Sequence, residues 1–524
     1  MRSLISLRGW FGPAALSAVI GSGSACALDG DKPLGLATNN GWSAFELLTQ
    51  GDDLTGLADA VYGTTMTRAK FDGLGARVAG DTFRVILNHE TTPASISAVD
   101  LDLAALKQAV AATLAGDAGA FPATTVTAVG FAYDTVFDGA YHAQTRPNPA
   151  AQDAAAVDAY ANDNFARFCS GTIYDPLSFG GGRGFADEIY ITGEEIDDGR
   201  LYALDTKTDT FWEVSDVGLG SWENAALVDT GLDTHVGLVL SDDSSSAPIR
   251  LYVGEKNVDA NNDGEIDFLE RNGLRGGTVY YFDPDPGFST TDLPDGQVTG
   301  RWSPSTAGAL FEGKLEDIHT SPFDGTELVF ADQNDGVYRM SLDLVFNGDA
   351  FDPSASAVVI DQIDDDDVGP LSAPDNVVWA GNNMIYVQED GSGDQIFEMN
   401  PDGSGLLEIA DAASEPSGVI DVSELLGYAP GGVLLTSLQN SSTSPSQLGV
   451  LIAPDAELTG GVPGDYDGDG FVGQGDLNLV LLNWGATQLP TGFNESALGN
   501  GSFDGRIGQN ELNGVLLNWG NGSP

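Results

Sequence analysis

Two stretches of this chain space oxygen-bearing side chains as a single hard cation requires. The first runs Asp259-Ala-Asn261-Asn-Asp263-Gly264-Glu265-Ile-Asp267-Phe-Leu-Glu270, the second Asp465-Tyr-Asp467-Gly-Asp469-Gly470-Phe471-Val-Gly473-Gln-Gly-Asp476. Each carries side-chain oxygens at loop positions 1, 3 and 5, a glycine at 6 for the sharp turn and a carboxylate at 12. Calcium takes about six to eight oxygen ligands, and a flexible loop supplies most of them at this spacing. Glu265 and Asp267 in the first loop, and Phe471 in the second, occupy intermediate ligand positions. A chance Asp/Gly-rich loop matches some of these features; two complete matches predict calcium.

The elements that position these loops sit in a strongly acidic chain of formal charge −57, which repels nucleic acid and anionic lipid and excludes both as partners. A hydrophobic content of 42% argues for a folded body rather than disorder. At the N-terminus, Arg2 and Arg8 precede and flank an apolar, small-residue stretch ending at Ala25-Cys26-Ala27. That pattern predicts an export signal over 1–27, a mature start at Leu28 and a secreted protein, extracellular or periplasmic. Lipidation of Cys26 is the alternative, against which Gly23-Ser24-Ala25 makes a poor lipobox. Cleavage leaves Cys169 as the sole thiol, so no internal disulfide is expected and cations must supply any cross-linking. No later stretch reaches the ~18 apolar residues of a membrane span.

After Cys169 the chain repeats. Glu188–Glu194 is followed by Gly199–Asp205, Arg250–Glu255 by Gly277–Asp283, Glu327–Asp332 by Gly336–Asp343, and Met384–Glu389 by Asp394–Asn400. Each copy is an apolar strand ending in an acid, then an alternating strand ending at Asp or Asn. The irregular spacing fits hairpins of a mainly β protein, a β-propeller of about six blades with long insertions, over 28–437. The first calcium loop falls between the two strands of the second copy. Propeller symmetry would gather Glu194, Glu255, Asp332 and Glu389 in one ring, where carboxylates cannot all stay ionised without cations. The alternative is that each caps a turn or faces water. Before the repeat, Leu101–Ala115 and Ala150–Ala166 have helical composition.

Residues 438–463 have the Ser, Gly, Pro and Thr content of a linker. Beyond it, the segment from Asp469 to Gly485 is duplicated from Asp504 to Gly520, each half a loop and an amphipathic helix ended by glycine. Two such units bury little core alone, and calcium in each loop would stabilise a small α-helical domain over 464–524.

This tail resembles a dockerin type I module. The resemblance implies a second calcium loop at Asn500, Ser502, Asp504 and Glu511, weaker because it carries fewer charges, and a cohesin-like partner. Around Gln474 and Gln509 it departs from the cellulosomal recognition pattern. The body resembles the PhoX-type alkaline phosphatases, secreted propellers that use calcium and iron. The resemblance rests on Asn88-His89-Glu90, Cys169-Ser-Gly-Thr172, Thr192-Gly-Glu194-Glu195, Ser221-Trp-Glu223, Lys314-Leu-Glu316-Asp317 and Ala373-Pro-Asp-Asn376, in the family's order. It implies Glu90, Glu194, Glu195, Glu223, Glu255 and Glu316 as cation holders, with Lys314 and Glu316 acting on a phosphoester. Three departures stand out. Gly193 replaces an iron-binding cysteine, Lys314 a bidentate arginine, and Phe168 a phosphate-contacting asparagine.

Two functions therefore follow: a calcium-dependent phosphoesterase with an attachment module, using iron as a second central metal if the family's site is kept, or a non-catalytic calcium-stabilised propeller for binding and display. A third, a carbohydrate-active enzyme, lacks paired acids that stand out from the general acidity. No Gly-x-Ser-x-Gly elbow is present. His89 reads as a structural hydrogen-bonding residue, and Cys169 as a buried small residue rather than a nucleophile.

Overall fold

The computed structural model describes residues 33–458, apart from 58–63, 117–124, 138–142, 146–164, 367 and 392–393, together with parts of 465–519. The export signal and the Ala150–Ala166 helix lie wholly or almost wholly outside the described residues, as do Asp467, Asp469, Asn500, Ser502, Asp504 and Glu511. The chain is mainly β, in a propeller-like arrangement of largely antiparallel sheets. Alternating apolar strands with Gly- and Asp-rich turns favour tight meanders, as in the hairpin of Glu327–Asp332 with Gly336–Asp343. There Asp332 pairs with Gly336, whose φ of 121° suits glycine.

Six strands form the inner edges of these meanders: β1 (Phe71–Ala79), β2 (Phe168–Tyr174), β3 (Trp222–Val228), β4 (Leu315–Thr320), β5 (Pro374–Trp379) and β6 (Pro416–Asp421). Each packs against the next, and β6 packs against β1, closing the cycle. β1, β2, β5 and β6 belong to separate sheets, whereas β3 and β4 edge one nine-stranded sheet joined where Gln297–Ser303 pairs with Ala357–Asp365. The N-terminal strand Ser43–Thr49 pairs with Gln447–Ile452 in the sheet of β6, so the two ends of the body share one sheet. Apolar clusters fill the spaces between sheets, for example Ile191, Leu201, Trp222, Ala225 and Leu238.

The expected linker is corrected in part. Gln447–Ile452 is a fully buried strand hydrogen-bonded on both sides, because Leu448, Val450 and Ile452 alternate toward a core despite the Ser/Thr-rich turn before them. A helix α1 (Leu103–Leu114), capped by Asp102, forms as its composition predicts. The short helix α2 (Phe268–Arg271) ends the loop inserted between Arg250–Glu255 and Thr278–Pro284. In the tail, helix α3 (Gln474–Leu482) follows Phe471, and Tyr466, Val472, Val480 and Phe493 bury one another.

The inner strands approach so closely that Gly73 has no room for a side chain. A Cβ there would lie 2.5 Å from the Cys169 carbonyl oxygen and 2.6 Å from the Gly171 nitrogen. Backbone cannot yield as a flexible side chain does, so Gly73→Ala is expected to lower stability by about 2–3 kcal/mol. A chemical-denaturation midpoint measured against wild type checks this.

Candidate metal centre

Every inner strand carries the same irregularity near its start. Between Phe71 and Leu74, three residue steps on β1 oppose two on the neighbouring strand, where His89 and Leu87 are the partners. The same slip occurs in β2, β3, β4 and β5, and β6 slips by two against one. A bulge of this kind re-aims a side chain that the pleat would otherwise direct between sheets. The second residue of each strand is affected: Asp72, Cys169, Glu223, Glu316 and Asp375, with Ser417 as the sixth.

A second set comes from the residue just past the strand paired with each inner strand: Glu90, Glu195, Asp243, Gln333, Asp390 and Gln439. A third precedes the inner strands and includes Lys70, Arg167, Lys314 and Glu415. Lys70, Arg167 and Lys314 hold φ of 48°, 48° and 63°, a region that side chains other than glycine seldom adopt. Apart from Ser417, all of these residues line one open cavity of about 130 Å³. Below it, Asn224 Nδ2 donates to Asp317 Oδ1 at 2.6 Å and Asn376 Nδ2 to Ser170 Oγ at 2.7 Å, a hydrogen-bonded floor that fixes the bulges.

Nine carboxylates and a thiol face three cationic side chains in this cavity, an imbalance that cannot persist fully ionised without cations. Desolvation first, and neighbouring carboxylates second, push Asp72, Glu223 and Asp375 well above the ordinary carboxyl range. Burial and Asp243 do the same to Glu316. Burial raises Glu195 to about 8 and Glu415 to about 7, and pushes the Cys169 thiol up. Arg167 Nη2 lies 2.6 Å from both Glu90 Oε1 and Glu195 Oε2, and Lys70 Nζ 2.7 Å from Glu90 Oε2. Lys314 Nζ lies 2.8 Å from Asp243 and 3.0 Å from Glu316. Burial works against the Lys314 ammonium, but Glu316 and Asp243 outweigh it and keep it charged.

The donors fit metal ions. Two oxygens on one calcium at about 2.4 Å can be at most about 4.8 Å apart. Four ligand sets meet a 4.8 Å limit here: Asp72–Glu90–Cys169, Cys169–Glu195–Glu223, Glu223–Glu316–Asp375 and Asp375–Asp390–Glu415. Successive sets share Cys169, Glu223 or Asp375, which gives the geometry of bridging ligands in a cluster. Asp243 Oδ1, buried and without a hydrogen-bond partner among the described residues, offers a further donor. Carboxylates suit calcium and other hard cations, and a thiolate suits a transition metal.

Of the sequence-derived candidates, Glu90, Glu195, Glu223, Lys314 and Glu316 come together here. Glu194 does not line the cavity; it accepts the Ala166 and Arg200 amides at 3.0 and 3.2 Å. Glu389 likewise accepts the Ser372 amide, and Asp332 the Asn334 amide. The expected ring of Glu194, Glu255, Asp332 and Glu389 is thus replaced by its turn-capping alternative, because the chain bends at the strand end and only the next residue faces inward. Glu255 is exposed at the end of an outer strand and has no place in the ring.

Two departures also change meaning. A Cβ on Gly193 would lie 2.3 Å from Trp222 Cβ, so no ligand could stand there, whereas Cys169 brings a thiol to the centre. Phe168 is buried among Phe165, Tyr202 and Phe211 and does not line the cavity. His89 is held between Ala69 O and Ser97 Oγ at 3.0 and 2.7 Å, and burial drops its pKa to about 3. Asp72, Asp243, Asp375, Asp390, Glu415, Lys70 and Arg167 are additional to the sequence-derived set. Only their constant offset from each inner strand marks them, and that offset appears once the bulges are seen.

The inserted loop takes the expected turn. Gly264 has φ 90°, Asp259 accepts the Asp263 and Gly264 amides, and Asp263 accepts the Glu265 amide. Glu270 folds back onto the Ala260 and Asn261 amides, while Asp267 and Glu270 form a capping box. In the tail, Asp476 accepts the Tyr466 and Gly473 amides at 2.5 and 2.7 Å, and Asp465 is buried.

No protein-family model matches this sequence, and no curated protein matches it. Among solved structures, the chain is similar to Pseudomonas fluorescens PhoX in complex with vanadate, a transition-state analogue. That similarity has a TM-score of 0.53 at 13% identity, covering 82% of this chain and 98% of the other. It shows a shared PhoX-like propeller fold. A mitotic checkpoint complex chain (TM-score 0.32, 9% identity, 86% and 98% covered) and the catalytic domain of the Coprinopsis cinerea GH62 α-L-arabinofuranosidase (0.29, 7%, 76% and 96%) are too distant to carry an argument.

Proposed function

We propose that this chain is a metal-dependent phosphoester hydrolase. The observation that carries the proposal is the run of four overlapping ligand sets in a cavity whose three cationic side chains all precede inner strands. The vanadate bound by Pseudomonas fluorescens PhoX, similar in fold, supports a phosphoryl group as the ligand. Bound cations supply Lewis acidity toward phosphoryl oxygens and a nucleophile at neutral pH. The chain's own residues do the rest. Glu223 and Glu316 hold their oxygens at fixed places on bulged strands. Ser170 donates to Glu223 Oε1 through its amide at 3.2 Å and its hydroxyl at 2.6 Å, aiming that carboxylate.

Arg167, Lys70 and Lys314 have side chains 44%, 40% and 35% exposed, so they can reach a ligand while still tied to the cluster. Arg167 has the planar fork that Lys314 lacks and can meet two phosphoryl oxygens at once. Arg167→Ala is expected to raise KM for a phosphomonoester about tenfold or more, with a smaller change in kcat, in steady-state assays.

The same proposal counts the nine-stranded sheet as two blades, six in all. It assigns calcium to the 259–270 loop and to the tail, and iron to the set around Cys169. It also takes the protein as secreted, with a dockerin-like tail over 464–524 that docks a cohesin-like partner. The test is hydrolysis of p-nitrophenyl phosphate by the purified chain with calcium alone and with calcium plus iron, beside Glu316→Ala. Turnover lost in the variant supports a hydrolase. No turnover under either condition, with calcium still raising the melting temperature, leaves a binding propeller.

A further inference from the structure

A second acidic cluster lies outside the cavity. Asp292, Glu312 and Asp335 each bring a carboxylate oxygen within 4.8 Å of the others, from three separate segments. Glu312 is pinned by the Leu293 amide and by the Gly313 amide at 2.8 Å, which draws the Asp292 loop against the segment leading into β4. Acidic side chains gather on many surfaces without a ligand, so the cluster alone decides nothing. Two fully buried groups beside it are more telling. Asp332 is 0% exposed, and although its Oδ1 accepts the Asn334 amide, its Oδ2 has no partner among the described residues. The Tyr338 hydroxyl is also buried and unpartnered. Glu312 and Asp335 are among the charged neighbours of Asp332, and Asp335, Asp332, Glu312 and Asp292 those of Tyr338, so both groups lie near the cluster. A buried carboxylate oxygen with no donor among three further carboxylates is costly unless a proton or a cation satisfies it.

We propose that Asp292, Glu312 and Asp335 form a site for a hard divalent cation, calcium, with Asp332 Oδ2 and the Tyr338 hydroxyl beside it, meeting the ion through its water shell. The all-oxygen donor set and the spread of ligands over loop and hairpin suit calcium's flexible coordination. The site is adjacent in the chain to the cavity. Glu312 stands two residues before Lys314, and Asp332 directly precedes Gln333, whose amide donates to the Lys314 carbonyl at 3.0 Å. A cation here ties the two segments that hold Lys314 in its left-handed backbone, so it fixes one rim residue of the cavity from behind.

The test counts calcium bound to the full chain, by elemental analysis after equilibration in calcium buffer, for wild type and for Asp292→Asn/Asp335→Asn, whose side chains are the less buried ones. The double variant is expected to bind about one calcium fewer. Its melting temperature should fall below wild type in calcium and rise above it in chelator, where the lost charges only relieve repulsion. Tyr338→Phe keeps the fold's volume and should weaken calcium at this site without changing the stoichiometry at saturation. Equal calcium counts, or a melting shift of the same sign under both conditions, overturns the proposal. Both readouts are independent of phosphoester turnover, so they stand whether or not the chain proves to be a hydrolase.

Discussion

Glu223→Ala is expected to lose about 10²–10³-fold or more of phosphomonoester turnover and to carry less metal than the wild type. Glu223 belongs to two of the four central ligand sets, joining the one that contains Cys169 to the one that contains Glu316 and Asp375. Its removal therefore opens the middle of the cluster, whereas Glu316→Ala deletes a ligand from one set only. The loss should come without unfolding. Glu223 is 2% exposed in a cavity crowded with carboxylates, so deleting it removes repulsion in the metal-free protein. Metal content by elemental analysis, turnover and far-UV circular dichroism on the same preparation separate these effects. An alanine variant with full activity and full metal content would remove Glu223 from the centre, and the proposed function would lose its main support.

That ranking of variants could not have been made from the sequence. The mainly β class was legible, because apolar strands alternate with Gly- and Asp-rich turns along most of the chain. The short segments around Cys169, Glu223, Lys314–Glu316 and Asp375, singled out for a family resemblance, lie at starts of inner strands. The phase of the repeat was not legible. An apolar run ending in an acid marks the strand end, and the acids so marked, Glu194, Asp332 and Glu389, turn out to cap the following turn. The inward residue is the next one, Glu195, Gln333 or Asp390, and its direction is set by a bend that no periodicity encodes. Glu255 matched the same pattern on a third strand, where it faces solvent. The linker estimate failed for a related reason, since Ser and Thr in a short hairpin turn read like a spacer until the strand after them finds its partners.

On the proposed function, the three rim cations would convert an acidic hole into a site for an anion. Lys70, Arg167 and Lys314 share one position relative to their strands and one strained backbone conformation, which directs long side chains over carboxylates rather than away from them. Each is paired, so none is a free attractant for every anion. With metal ions compensating the carboxylates, the same cations would be released from part of that pairing and the local field would reverse sign. A protein of charge −57 can then draw a phosphoester to one place while repelling anions elsewhere.

That reversal should be visible in stability against pH. In the metal-free protein Glu195 titrates near 8 and Glu415 near 7, and Glu312 and Asp332 of the outer cluster near 7 and 8, all raised first by burial. Their unfolded counterparts ionise near 4, so above that pH the unfolded chain has released protons that the fold retains. Stability must then fall as pH rises from about 4.5 to about 8, and the loss is complete once the folded groups have ionised. Each raised group adds to the loss, so the summed effect should be plain as a fall in melting temperature across the window. With metal ions bound the sign changes. The ligands are already ionised in the native state, protons compete with metal at low pH, and binding strengthens as pH rises through the same window. Melting curves at pH 5, 6, 7 and 8 are expected to slope downward in chelator and upward in metal. Glu195→Gln should flatten part of the chelator curve by removing one of the titrating groups. A chelator curve that stays flat across the window would mean that these carboxylates do not share a dry site, and the case for a metal cluster at the centre would fall with it.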